Sequence, residues 1–160
     1  MPGPEMTAIY VDADACPVRD EVYRVATRLG LPVYVVANFS RPIRPPGLAN
    51  VQLVMVSDAA DAADDWIAER IGPADLCITS DLPLAGRCIA RGARVVPPSG
   101  KPLNAANIGN ALAGRELGRH LREMGQATRG PAPMTRHDRS RFLSALDAAA
   151  QAALRETAAS

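Results

Sequence analysis

The chain has 160 residues, a length that suits one domain built around a single hydrophobic core. Hydrophobic residues make up 48% of it and charged residues 22%, as in ordinary folded globular proteins. No apolar run approaches the roughly 20 residues that a membrane-spanning helix needs, so a membrane protein is not expected. The start of the sequence lacks the basic region and apolar stretch of a signal peptide.

The three cysteines, Cys16, Cys77 and Cys88, are odd in number and follow neither CxxC nor Cys/His metal spacing. This usage favours a reducing, cytoplasmic setting. Cys16 lies close to Asp14 in sequence but has no obvious activating base, so a nucleophilic role is not expected for it.

The net charge of +1 is spread unevenly along the chain. Residues 1–86 carry 6 basic and 12 acidic side chains, whereas residues 87–141 carry 11 basic and 3 acidic ones. An acidic half joined to a basic half would suit a metal site beside a phosphate-binding surface. It would equally suit two halves that attract each other across the fold, and the sequence leaves both interpretations open.

The first half of the chain alternates buried strands with amphipathic helices. A strand is predicted at residues 7–12, and a helix follows from Pro17, which suits a first helical turn, to Gly30, which ends it. Strands are also predicted at 31–37 and 51–56. The prolines of the intervening loop exclude regular structure there.

The second half continues the alternation and ends in helices. A helix at 60–71, a strand at 75–79, a short helix at 82–91 and a strand at 93–96 are predicted in turn. A long helical stretch from about 104 to 124, a Gly/Pro loop at 126–135 and a last helix from about 136 follow. Strands that alternate with helices predict an α/β domain with a mainly parallel, roughly five-stranded sheet covered on both faces.

In parallel sheets, ligands bind at the carboxyl ends of the strands, where the strand order reverses. Asp12 and Asp14 follow the first predicted strand, and Asp81 follows the fourth. If these strands are neighbours, they lie about 4.8 Å apart and three carboxylates share one small volume. Like charges that close repel, and a hard divalent cation such as Mg²⁺ or Mn²⁺ would relieve the repulsion. We therefore expect Asp12, Asp14 and Asp81 to bind a metal ion.

The helix after the third strand carries further acids. Asp61 and Asp64 lie three residues apart and share a helical face, as do Asp61 and Asp65. Asp61 and Asp64 are predicted to join the site, although Asp58 and Asp61 could simply cap the helix. Asp65 and Asp58 are better explained as solvated or capping residues.

A metal ion held by these carboxylates could activate water and stabilise the charge that builds on a phosphodiester. Two ions about 3.5–4 Å apart would clamp the attacking and leaving oxygens. Thr79 and Ser80 could hydrogen-bond a ligand or a metal-bound water. They could equally satisfy the backbone of their own turn.

The basic half offers candidate phosphate contacts, of which Lys101, Arg139 and Arg141 are predicted to bind substrate. Arg139 could alternatively pair with a carboxylate inside the fold. A stripe at helical spacing is more typical of a solvated face than of a phosphate track; it comprises Arg115, Arg119 and Arg122. Few aromatic residues are interleaved with these cations, so base stacking by this half would be limited, and sequence-specific recognition is not expected of it.

Five segments together resemble the YaiI/YqxD family of bacterial proteins, which is grouped with PIN-like domains. They are residues 10–17 (YVDADACP), 61–64 (DAAD), 78–85 (ITSDLPLA), 107–109 (NIG) and 138–142 (DRSRF). The resemblance implies a three-layer α/β/α sandwich and a Mg²⁺- or Mn²⁺-binding ribonuclease-type site. The acids it implies for that site are Asp12, Asp14, Asp61, Asp64 and Asp81.

The resemblance covers residues 7–150, which are expected to form a single PIN-like domain. Residues 1–6 are then expected to be a flexible extension, and residues 151–160 an Ala-rich tail. Two positions depart from the family pattern: Arg129 stands where Gly is usual and Met134 where Phe is common. Both lie outside the acid cluster, so only the role of that basic loop is put in doubt.

The leading functional hypothesis is a divalent-metal-dependent nuclease that acts on RNA and has no membrane partner. The sequence does not predict its oligomeric state. One alternative is a PIN-like module that binds nucleic acid without cleaving it. Another is a phosphoacceptor domain of the receiver type, which would use Asp58 and Lys101. A haloacid-dehalogenase-like phosphatase would match Asp12-x-Asp14, but its later motifs should come in a different order.

Overall fold

In the computed structural model, residues 7–41, 43–114 and 134–159 are described. Five strands form one sheet in which every neighbouring pair is parallel. The strands are β1 (Ile9–Asp12), β2 (Val33–Asn38), β3 (Val51–Val56), β4 (Leu76–Ile78) and β5 (Arg94–Val95). The predicted α/β class and the parallel sheet are confirmed.

A short 3₁₀ turn (Ala13–Ala15) follows β1, and α-helices connect or follow the strands. The helices are α1 (Arg19–Leu29), α2 (Ala62–Arg70), α3 (Leu82–Ala90), α4 (residues 108–114) and α5 (Arg136–Ala159). α1 ends at Gly30, whose φ of 70° is the left-handed conformation that glycine adopts without strain. Within the described residues, no helix combines the length and the apolar character required to cross a bilayer.

The strand order is β3-β2-β1-β4-β5, so β1 lies at the centre with β2 on one side and β4 on the other. The chain winds outward from β1 in one direction and then returns to wind outward in the other. The order therefore reverses between β1 and β4, which is where doubly wound sheets open a crevice at their carboxyl edge. Asp12 and Thr79 lie at that edge.

Two hydrophobic layers cover the two faces of the sheet. Ile9 and Val11 of β1 belong to a core that includes residues of α1 and α5, whereas Tyr10 belongs to a core with residues of α2 and α3. Successive residues of a strand point to opposite faces, so the side chain of Asp12 follows that of Tyr10 toward α2 and α3. The three-layer α/β/α arrangement is confirmed.

Several strands and helices were predicted one or two residues too long at an end. The prediction for β5 was residues 93–96, but only Arg94 and Val95 pair with the three-residue β4. The prediction for α2 began at residue 60, but the helix begins at Ala62 because Asp61 has non-helical backbone angles and occupies the N-cap position.

The Ala-rich segment from residue 151, expected to be a tail, continues α5 to Ala159. Phe142, Leu146, Ala150 and Ala153 recur on one face of the helix and are fully buried against the sheet. Near its end, Glu156 pairs with Arg94 of β5. Alanine has the highest helix propensity and packs without losing side-chain entropy, so an Ala-rich sequence here extends the helix.

The predicted helical stretch at 104–124 is described only in part. Asn104 precedes α4, and its side-chain oxygen accepts hydrogen bonds from the backbone N–H groups of Ala106 and Asn107. The rest of that stretch lies outside the described residues, as do the expected extension at 1–6 and the residues Arg115, Arg119, Arg122 and Arg129.

Candidate functional site

Asp12, the last residue of β1, is buried at the carboxyl edge with only 6% of its surface exposed. The hydroxyl of Thr79, at the end of β4, donates a hydrogen bond to Oδ2 of Asp12 at 3.0 Å. Burial raises the pKa of the Asp12 carboxyl, the Thr79 hydrogen bond opposes this, and the charges of Asp81 and Asp14 raise it further. Asp12 is thus a desolvated carboxylate with two acidic neighbours.

Asp81 lies at the N-cap of α3, and its Oδ1 accepts a hydrogen bond from the backbone N–H of Leu84 at 3.0 Å. Its own N–H donates to the Thr79 hydroxyl, also at 3.0 Å. Thr79 therefore connects the strand-end acid Asp12 to the turn that carries Asp81. This satisfies the backbone of the turn, one of the two roles foreseen for Thr79, whereas Ser80 is exposed.

Asp64, in the first turn of α2, has its pKa raised to about 6. Partial burial is the largest cause, followed by the charges of Asp81, Asp12 and Asp61, while Arg87 on α3 acts in the opposite direction. The electrostatic coupling shows that α2 brings Asp64 toward the crevice between β1 and β4. The exposed Asp61 contributes to this cluster without capping α2 through its side chain.

The remaining acids of this region are engaged elsewhere. Asp65 pairs with Arg87 at 2.8 Å, and Asp58 accepts a hydrogen bond from the backbone N–H of Ser40 at 2.7 Å. Both were expected to be solvated or capping residues. Asp14 is exposed, and its Oδ2 accepts a hydrogen bond from the side-chain amide of Asn38 at 3.3 Å.

The five predicted acids are therefore linked electrostatically but are not arranged as a ready coordination sphere. Among the described residues, no three His, Cys, Asp or Glu side chains are placed to hold one metal ion. The carboxylates of Asp12, Asp14 and Asp81 instead accept hydrogen bonds from protein donors. Carboxylate oxygens are the ligands that Mg²⁺ and Mn²⁺ prefer. Because these oxygens now accept hydrogen bonds from the protein, the side chains would have to reorient to bind an ion together.

The basic residues reach the same edge of the sheet through the segment after β5. A Cβ on Gly100 would lie 3.1 Å from Cγ of Arg141 and 3.2 Å from its backbone, so this segment packs directly against the start of α5. Lys101 is exposed, and Arg141 is 4.0 Å from Asp138. The fold thus brings the segment that carries the predicted phosphate contact Lys101 against Arg141, the other predicted contact.

Arg139 has a different environment. Its Nη1 donates to Oε1 of Glu21 on α1 at 3.0 Å and to the backbone carbonyl of Pro17 at 3.4 Å. The Glu21 side chain is 11% exposed and that of Arg139 is 41% exposed, so this ion pair joins α1 to α5 with only its carboxylate largely buried. Of the two roles foreseen for Arg139, the structure contains the pairing with a carboxylate inside the fold.

Cys16 is also structural in its surroundings. It is 2% exposed, and burial raises the pKa of its thiol to about 12. The reactive thiolate is therefore scarce near neutral pH, in keeping with the expectation that Cys16 is not a nucleophile.

Three residues at the site were not anticipated from the sequence: Asn38, Arg87 and Glu21. Asn38 ends the buried strand β2 at the carboxyl edge, and a polar residue at that position is a signal that could have identified it. Arg87 and Glu21 lie on helices whose contacts are set by tertiary packing. Nothing in their local sequence distinguishes them from solvated helix residues.

Comparisons with known proteins agree with the sequence resemblance. The family model described as "Uncharacterized BCR, YaiI/YqxD family" matches residues 10–152. A "UPF0178 protein" of Rhodopseudomonas palustris (strain BisB18) is 56% identical over 89% of this chain and 91% of the relative. A "UPF0178 protein" of Rhodospirillum centenum is also 56% identical, over 89% and 94%.

A further "UPF0178 protein", from Caulobacter vibrioides (strain NA1000 / CB15N), is 48% identical over 89% of this chain and 92% of the relative. No solved structure shows a significant match. The family match spans most of the chain, including every carboxylate of the crevice. The chain belongs to the YaiI/YqxD family.

Proposed function

We propose that this protein is a divalent-metal-dependent nuclease that hydrolyses RNA at the carboxyl edge of its sheet. The observation that carries the proposal is that Asp12, Asp64 and Asp81 come from three separate elements and yet lie close enough for the charge of Asp81 to raise the pKa of both Asp12 and Asp64. Burial first, and neighbouring negative charge second, raise the pKa values of Asp12 and Asp64, so keeping these carboxylates ionised in the folded state costs free energy. Proteins retain such clusters at functional sites more often than elsewhere.

In this proposal Asp12 and Asp81 are the direct ligands of Mg²⁺ or Mn²⁺. Asp14, Asp61 and Asp64 complete the site by binding a second ion or by orienting water. A bound ion would supply an activated water and stabilise the charge that builds on the phosphodiester. Thr79 holds Asp12 in place through its 3.0 Å hydrogen bond and so fixes the position of one ligand.

The cationic side chains of Lys101 and Arg141 favour a polyanionic substrate. The segment that carries Lys101 packs against Arg141 at Gly100, and in this proposal both side chains contact RNA phosphates while Ser80 donates to the same RNA backbone. These cations offset the repulsion between an RNA strand and the acidic crevice. A bacterial cytoplasm, in which the buried thiols stay reduced, is the compartment that fits this proposal.

The receiver-type alternative has less topological support. Receiver domains have the strand order 2-1-3-4-5, in which β3 lies beside β1 and presents its acid to the same crevice. Here β2 separates β3 from β1, and Asp58 after β3 accepts a hydrogen bond from Ser40. A PIN-like module that binds RNA without turnover would use the same surfaces as the nuclease, so activity distinguishes the two.

The test is cleavage of end-labelled single-stranded and hairpin RNA in Mn²⁺, with and without EDTA, by wild type, Asp81→Asn and Asp65→Asn. Asparagine is as good an N-cap as aspartate, so Asp81→Asn removes the charge while keeping the bond to Leu84. Asp65→Asn is the matched control, because Asp65 pairs with Arg87 rather than joining the crevice.

We expect EDTA-sensitive cleavage by wild type and Asp65→Asn, and a loss of about 100-fold or more in Asp81→Asn, as is typical when a group that stabilises transition-state charge is removed. Equal cleavage by all three proteins would contradict the proposal and indicate a contaminating nuclease. RNA binding without cleavage by wild type would favour the non-catalytic module.

A further inference from the structure

The segment between β2 and β3, residues 39–50, carries both large apolar side chains that are exposed within the described part of the chain. Phe39 is 62% exposed and Leu48 is 37% exposed. A single exposed apolar residue is ordinary, but two in one twelve-residue connection mark that segment. The segment also includes Arg41 and Arg44, both exposed, and contains no acidic residue.

Phe39 is held in place by backbone and side-chain hydrogen bonds. Its N–H donates to the carbonyl of Val56 at 3.1 Å, which extends the pairing of β2 with β3 by one residue. The side-chain oxygen of Asn38 accepts hydrogen bonds from the hydroxyl of Ser40 and the N–H of Arg41, both at 3.0 Å. The carboxylate of Asp58 accepts a hydrogen bond from the N–H of Ser40. The turn therefore presents an exposed aromatic ring on a fixed backbone.

The same asparagine connects this turn to the acid crevice. Asn38 accepts the turn's hydrogen bonds through Oδ1 and donates from Nδ2 to Oδ2 of Asp14 at 3.3 Å. Phe39 therefore directly follows, in sequence, a residue whose side chain contacts a crevice acid. Among the described residues, neither Arg41 nor Arg44 forms an ion pair, so both cations are available to a ligand.

The strand order places this segment, which follows β2, and the Lys101 segment, which follows β5, on opposite flanks of the acids. From β2 to β5 the sheet passes through β1 and β4, a width of about 14 Å at the usual strand spacing. A polyanion crossing the crevice would meet cations on both flanks and an aromatic face on the β2 flank. An aromatic face stacks any unpaired base, and neighbouring cations hold the phosphate between bases.

We propose that Phe39, followed in the same connection by the exposed Arg41 and Arg44, is a stacking subsite for one unpaired nucleobase next to the acid crevice. This inference rests on the proposed function for its ligand class, because it takes the crevice to bind RNA. It goes beyond that function by assigning a base-binding role to a residue outside the acid cluster. It also implies that a paired base, whose face is covered in the duplex, is excluded from the subsite.

The test measures binding rather than cleavage, so that it is independent of turnover. A single-stranded RNA containing 2-aminopurine and the corresponding full duplex are titrated in EDTA with wild type, Phe39→Ala, Phe39→Tyr and Leu48→Ala. Leu48→Ala is the matched control, because it removes the other exposed apolar side chain of the same segment. Melting temperatures verify that each variant is folded, which the exposure of both side chains favours.

We expect Phe39→Ala to weaken single-strand binding about tenfold. It should also reduce the quenching of 2-aminopurine fluorescence that wild type causes on binding. Phe39→Tyr should bind within about twofold of wild type, because it retains the ring, and Leu48→Ala should match wild type. Duplex binding should be equal in all four proteins.

Unchanged single-strand affinity in Phe39→Ala would overturn the subsite, as would an equal loss for single strand and duplex. Absence of any RNA binding by wild type would overturn it as well. If ring-dependent binding is present but Mn²⁺-dependent cleavage is not, the subsite stands and the nuclease proposal fails. The two proposals can therefore fail separately.

Discussion

The hydroxyl of Thr79 donates a 3.0 Å hydrogen bond to the buried carboxylate of Asp12 and accepts one from the N–H of Asp81. Replacing Thr79 by valine keeps the shape but leaves a buried carboxylate and a backbone N–H without this partner. We expect Thr79→Val to lower the free energy of unfolding at pH 7 by about 2 kcal/mol, measured by urea denaturation. Thr79→Ser keeps the hydroxyl and should lose less than half as much. Equal stability of Thr79→Val and wild type would contradict this role.

Asp64 makes stability depend on pH. Its folded pKa of about 6 lies above the ordinary value of 3.8, so the folded state holds the proton more tightly than the unfolded state. The stabilisation from the protonated form is complete below about pH 4 and is lost as the pH rises through 6. Asp64→Asn should therefore be more stable than wild type at pH 7.5. Its free energy of unfolding, measured by urea denaturation, should be higher by about 1 kcal/mol once solvent screening is allowed for.

This gain of Asp64→Asn should vanish at pH 4. Asp65→Asn, on the same helical turn but paired with the exposed Arg87, should show no such gain at pH 7.5. A stabilisation of Asp64→Asn that is equal at both pH values would mean that its charge is not the cause.

The ion pair of Arg139 and Glu21 should contribute to stability rather than to substrate binding. Removing only the arginine leaves a carboxylate that is largely buried, which is the costly way to break such a pair. We expect Arg139→Met to destabilise the protein by about 2 kcal/mol, and the Arg139→Met/Glu21→Gln double variant to recover much of that loss. RNA affinity that falls in Arg139→Met and stays low in a still-folded double variant would restore the phosphate-contact role.

The last turns of α5 should behave as part of the core. Ala153 is fully buried, so Ala153→Leu forces extra volume into a packed interface and should cost about 1–3 kcal/mol. Ala148 is exposed on the same helix, and Ala148→Leu should change stability by less than about 0.5 kcal/mol. If both variants were neutral in thermal unfolding, the helix end would not be packed as the structure has it.

The fold was predictable because its signals are local and repeated. Continuous apolar strands that alternate with amphipathic helices define a parallel sheet, and the acids at the ends of β1 and β4 follow from that topology. The end of α5 was expected to be a tail because an Ala-rich sequence has few large apolar residues that would mark a buried face. Only the packing of Ala150 and Ala153 on the sheet shows which face is buried.

The grouping of the acids could be predicted from the sequence, but their geometry could not, and their role as a site stays a prediction. Sequence spacing identified Asp12, Asp14, Asp61, Asp64 and Asp81, because strand ends and one helical face converge at the switch point. It did not reveal that Thr79 joins Asp12 to the Asp81 turn, or that the Asn38 side chain links Asp14 to the turn after β2. It also left open whether Arg139 faces a phosphate or Glu21. These are contacts between residues distant in sequence, set by how the helices dock on the sheet.

The most direct test of the acid crevice as a metal site is calorimetric titration of Mn²⁺ into wild type, Asp81→Asn and Asp65→Asn. The account predicts that wild type and Asp65→Asn bind Mn²⁺ alike, and that Asp81→Asn binds at least about tenfold more weakly, a difference of about 1.4 kcal/mol. Undiminished Mn²⁺ affinity in Asp81→Asn, or no binding by wild type, would contradict it.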